Sequence, residues 1–89
     1  MTLRNIQRLD TRSFLCRISL NGHETQFIAS IQPEGEKIEV LRFEGLSDEA
    51  QRTFYMTGLF WRFEQAVFGF AQGDKIVFPV DLAHWKRAL

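Results

Sequence analysis

The chain has 89 residues, 45% hydrophobic and 25% charged, with eleven basic side chains balancing eleven acidic ones. This length suits a single domain over residues 1–89, and the composition excludes a disordered tail, a collagen-like repeat and a low-complexity segment. Zero formal charge weighs against a broad duplex-binding surface, which draws its affinity from many Lys and Arg contacts to phosphate.

Residues 2–9 come first. Leu3, Ile6 and Leu9 are three apart, a spacing that leaves a strand and a helical turn equally open. The clearest local signal follows at Asn21-Gly22, which lies between two alternating runs. Both turn positions of a type I′ hairpin need positive φ, and Asn-Gly supplies them. Such a turn sets Leu20 opposite His23, Ile18 opposite Thr25, Cys16 opposite Phe27 and Phe14 opposite Ala29, all on one face. The other face carries Leu15, Arg17, Ser19, Glu24, Gln26, Ile28 and Ser30, which are mostly polar.

Pro33-Glu34-Gly35-Glu36 reads as a second turn, leading to a third strand over residues 37–43. Ser47-Asp48-Glu49 is a helix start, with a hydroxyl to cap free amides and two acids at the positive end of the dipole. One long helix is expected over residues 48–68, stopping near Gly69 or Gly73. Residues 75–82 read as a last strand, which Pro79 confines to an edge because it lacks an amide hydrogen. Residues 83–89 form a basic tail anchored by Trp85. The expected fold is therefore α+β: an antiparallel β-meander, one long helix packed on the sheet and a C-terminal edge strand, in the order β-β-β-α-β.

With Met56 at zero and about 100° per residue, Leu59, Phe60, Phe63, Val67 and Phe70 gather on the same side of this helix and should face the sheet. Phe54, Trp61 and Phe68 fall on a second stripe at seven-residue spacing, with Gly58 and Gln65 beside it. One sheet cannot cover both stripes. Either the N-terminal segment and the tail, with Trp85 and Leu89, fold over the second, or it meets another chain. Dimerisation through Phe54, Gly58, Trp61, Gln65 and Phe68 is the preferred expectation, since three exposed aromatics would be an aggregation hazard on a monomer.

Catalytic and metal chemistry find little support. His23 and His84 are far apart, and no zinc-ligand spacing, phosphate loop, dinucleotide fingerprint or nucleophile elbow occurs. Cys16 points to the expected core, where a thiol behaves as a small hydrophobe. Asp81 and His84 could pair on the tail, and Glu34, Glu36 and Glu39 read as a charged hairpin edge rather than metal ligands. No enzyme activity, cofactor or metal is expected.

Charge is uneven along the chain, with Arg4, Arg8, Arg12 and Arg17 near the N-terminus and most acids over residues 34–49. The four arginines are the candidate contacts for a nucleic-acid-binding regulator, an alternative weakened by the acidic segment and the missing RNP aromatics. A small-ligand-binding domain is a further alternative. A lone cysteine and the lack of a long apolar run point to a cytoplasmic protein without a membrane segment. The leading expectation is a cytoplasmic, non-enzymatic interaction module that forms a homodimer; any other protein partner is left undefined.

Overall fold

A computed structural model describes residues 1–87. In chain order the elements are β1 (Thr2–Arg8), β2 (Ser13–Leu20), β3 (His23–Pro33), β4 (Glu39–Glu44), α1 (Asp48–Met56), α2 (Phe60–Ala71) and β5 (Val80–Asp81). The five strands form one antiparallel sheet in the order β4-β3-β2-β1-β5. The first four make a meander, after which the two helices carry the chain across to the far edge. The α+β class is as expected; the element order is β-β-β-β-α-α-β.

The β2–β3 turn has φ values of 51° at Asn21 and 79° at Gly22, the left-handed pair that a type I′ turn requires. The pairs Leu20–His23, Ile18–Thr25, Cys16–Phe27 and Phe14–Ala29 all form as the turn chemistry dictates. Towards the tip the face opens to solvent, with Leu20 and Thr25 half-buried and His23 exposed. Replacing Gly22 by Val should destabilise the protein by about 1 kcal/mol or more, because a β-branched residue resists positive φ. No neighbouring atom would crowd the added Cβ, so a lowered urea midpoint would report the strain of positive φ rather than a clash at that carbon.

The N-terminal segment is a strand, and its three-residue apolar spacing has a local cause. The register against β2 shifts between Leu3 and Asn5. A bulge adds one residue to the alternation, so Leu3 and Ile6 both turn inward, opposite Ile18 and Cys16, and both are buried.

The expected single helix is two helices. Ser47 caps α1 as predicted, its hydroxyl accepting from the Ala50 amide at 3.1 Å, with Asp48 and Glu49 in the first turn. The helix ends at Met56 because Gly58 takes φ 71°, the left-handed position common just beyond a helix C-terminus. The Thr57 hydroxyl donates to the Phe54 carbonyl at 2.8 Å and closes the end.

This break changes which side chains point inward. On one unbroken helix Phe54 and Phe63 would stand about 180° apart. Re-phasing at Gly58 brings both into the core, with ring centroids 5.0 Å apart. Phe54 is thus 1% exposed, whereas Met56, expected to head the inner stripe, is 81% exposed. The second helix ends at Ala71, with Gly73 at φ 99° just beyond it.

The last strand is much shorter than expected. Residues 75–79 run irregularly and only Val80 and Asp81 pair, with Leu3 and Thr2 of β1. Pro79 offers no amide for a ladder, and β5 does lie at a sheet edge. The third expected strand is β4, displaced to Glu39–Glu44, with Ile38 left in the exposed loop.

Both helices cover one face of the sheet. Phe63, Ala66 and Val67 of α2 share the core with Leu3, Ile6, Phe14, Cys16, Ile18, Phe27, Ala29, Ile31 and Leu41 from the strands. Edge-on aromatic contacts run through this layer: Phe14–Phe70 at 6.0 Å, Phe43–Phe60 at 5.8 Å and Phe54–Phe60 at 5.7 Å. The opposite sheet face remains open and largely polar.

Candidate functional site

Burial of Phe63, Ala66 and Val67 fixes the rotation of α2, so Trp61, Gln65 and Phe68 lie on its far side. Trp61 is 61% exposed and Gln65 is half-buried, whereas Phe68 packs partly against the core on the side of Arg12 and Ile31. Three of the five expected interface residues therefore share one helix face. Phe54 does not belong with them: it is sealed in the core between Phe60 and Phe63. Gly58 is exposed in the α1–α2 turn, without side-chain or backbone atoms crowding it.

Re-phasing also exposes residues outside the expected stripe. Tyr55, 55% exposed, lies against the Phe60 ring at 4.5 Å, and Met56 is the more exposed of the two. Tyr55, Met56 and Trp61 thus crowd large apolar surface into seven residues around the turn. The Thr57-Gly58 pair was the available signal, since a glycine inside a helical pattern can equally end one.

Beside Trp61, between α2 and the C-terminal segment, is a cleft of about 570 Å³ lined by Trp61, Arg62, Gln65, Trp85, Lys86 and Arg87. Arg62 builds its floor: its Nη1 donates to the carbonyls of Ala83 at 2.9 Å and Trp85 at 3.0 Å, with a longer contact to Leu82 at 3.4 Å. Asp81 shapes the same segment by accepting from the Ala83 amide at 3.0 Å and contacting His84 Nδ1 at 2.8 Å. The His84 contact, followed by the Ala83 amide, holds the Asp81 carboxyl below its ordinary range. Arg87 donates from Nε to Asp74 and from Nη2 to Gln72, both at 2.7 Å. Trp85 packs partly against the core, in keeping with its expected anchoring role, while Leu89 lies outside the described residues.

The four N-terminal arginines do not converge. Arg8 lies over the Phe14 ring at 5.1 Å and donates to the Ala71 carbonyl at 3.0 Å, placing a cation at the negative end of α2. Arg12 bonds the Ile31 carbonyl at 3.2 Å and pairs with Glu39 at 3.5 Å. Arg4 pairs with Glu24 at 3.5 Å, and Arg17 is exposed on the open sheet face. Arg8 and Arg12 are thus engaged with the protein's own carbonyls.

Cys16 is buried, and desolvation pushes its thiol up to about 12. Ellman's reagent should leave it unmodified in the native protein and modify it once urea unfolds the chain. Rapid native labelling would show that the β2 core face opens to solvent. Among the described residues no three His, Cys, Asp or Glu side chains gather in a metal-binding arrangement, and no helix is long and apolar enough to cross a membrane. No family model matches the chain, and no curated protein matches it in sequence.

Proposed function

We propose that this chain is a non-enzymatic interaction module that associates with a second copy of itself through the α1–α2 turn and the outward face of α2. The observation that carries this reading is the exposure of Tyr55, Met56 and Trp61 together. Apolar residues exposed singly need no explanation, but a local concentration of them does. Gln65 and the uncovered edge of Phe68 extend the surface along α2, and Gly58 permits close approach at the turn. A non-enzymatic role fits the buried Cys16 thiol, which no reactant can reach in the folded chain. A cytoplasmic location suits a chain with one thiol and no possible internal disulfide.

The area predicts a modest affinity. Large aromatic side chains bury about 150–250 Å² each, so the three partly exposed residues supply roughly 300–400 Å² per chain. A two-fold pair would bury roughly 600–800 Å² through them, short of the ~1,200 Å² of a stable interface. Gln65, Phe68 and polar neighbours must supply the rest, making the dimer concentration-dependent. Sedimentation velocity across a dilution series should show the mass rising from 10.4 kDa towards twice that value. Trp61→Glu, at an exposed position, should stay folded and monomeric. A wild-type monomer at every concentration would overturn the proposal.

A further inference from the structure

The cleft between α2 and the C-terminal segment has a chemistry distinct from the apolar turn. Its volume, about 570 Å³, falls within the roughly 300–1,000 Å³ of small-molecule sites. Two indoles, from Trp61 and Trp85, give it flat apolar walls, each with a ring N–H donor. Arg62, Lys86 and Arg87 contribute three positive charges, and among the described residues no carboxylate side chain lines the cleft. Asp74 offsets Arg87 from beside the cleft, leaving Arg62 and Lys86 to set its sign. Among the described residues Lys86 has no ion-pair partner.

Flat apolar walls with a positive rim select a particular kind of molecule. A neutral hydrocarbon would leave the cations without a counter-charge, and a bare inorganic anion would leave the indoles uncovered. We propose that this cleft binds a small organic anion bearing a flat aromatic ring, such as an aromatic carboxylate. The ring lies against the indoles, and the carboxylate meets Lys86 and the guanidinium of Arg62. Arg62 already holds the segment that carries Trp85, which sets one wall of the site in place before a ligand arrives. Trp61 and Gln65 belong both to this cleft and to the surface proposed above for self-association, so the cleft is tested on monomeric protein.

The protein has only two tryptophans, and both line the cleft. Their indole N–H signals in a ¹H–¹⁵N NMR spectrum therefore report on this site directly. The titration uses 1-naphthoate as the probe, with 1-naphthalenemethanol and cyclohexanecarboxylate as controls lacking the charge and the flat ring. A Met56→Glu background keeps the protein monomeric if the turn is the dimer surface, without altering the cleft lining. Saturable shifts of both indole signals with naphthoate, and affinities weaker by roughly tenfold for each control, are expected. Lys86→Glu, an exposed charge reversal, should weaken naphthoate by a similar factor. The site is overturned if naphthoate gives no saturable shift at millimolar concentrations. It is equally overturned if either control binds as well as naphthoate, or if Lys86→Glu leaves the affinity unchanged.

Discussion

Phe63→Ala is expected to remove about 3–5 kcal/mol of folding stability, the loss typical of a large aromatic deleted from a close-packed core. Phe63 is 0% exposed, and its ring lies 5.0 Å from Phe54, 5.7 Å from Phe27 and 6.1 Å from Phe43. One side chain thus joins α2 to α1, β3 and β4. Neighbours held by separate elements cannot all collapse into the vacated space, so most of the cavity should persist. Small domains have about 5–15 kcal/mol in total, so this substitution should bring the protein close to unfolding. Urea denaturation followed by circular dichroism measures the loss. A change below about 1 kcal/mol is the size usual away from the core and would contradict this packing.

Arg62→Met is expected to cost about 2 kcal/mol, in the range for hydrogen bonds made by a charged group. Methionine preserves much of the apolar stem but removes the Nη1 donor to the Leu82, Ala83 and Trp85 carbonyls. Only two residues of β5 pair with β1, so little sheet bonding remains to retain the segment. Buried Leu82 and the Leu82 amide donating to the Met1 carbonyl at 3.2 Å still hold its start. The damage should therefore concentrate over residues 83–85. Hydrogen exchange there should accelerate in the variant while the β2–β3 hairpin keeps its protection. Equal acceleration throughout would mean that Arg62 supports the whole fold rather than this segment.

The parts legible in the sequence were those decided by short-range chemistry. Asn21-Gly22 set an eight-pair register because two backbone positions demanded residues tolerant of positive φ. Ser47 marked a helix start for an equally local reason. The N-terminal strand was obscured because its bulge breaks the two-residue alternation by which strands are recognised.

The expected helical stripe divides at one residue. Gly58 could be tolerated in a helix at about 1 kcal/mol or could end it. Only the need to bury both Phe54 and Phe63 against the same sheet decides between those outcomes. Ending α1 there moved Phe54 inward and turned Met56 outward, while Trp61, Gln65 and Phe68 kept their common face. The cleft had no contiguous signature, because it arises where the returning chain places Trp85 and Lys86 beside Trp61 and Arg62. Arg4, Arg8 and Arg12 are evenly spaced in sequence, but a bulged strand and a turn send them to different surroundings.

The Phe63 side of α2 is core, and its Trp61 side, together with the α1–α2 turn, is the surface proposed to meet a second chain. Concentration-dependent ¹H–¹⁵N NMR spectra of the wild-type protein test that placement directly. On dilution, signals of Tyr55, Met56, Gly58, Trp61, Gln65 and Phe68 should shift together, while those of β2 and β3 stay fixed. Shifts confined to the open sheet face or the β4 edge, or spectra unchanged across the dilution series, would contradict it.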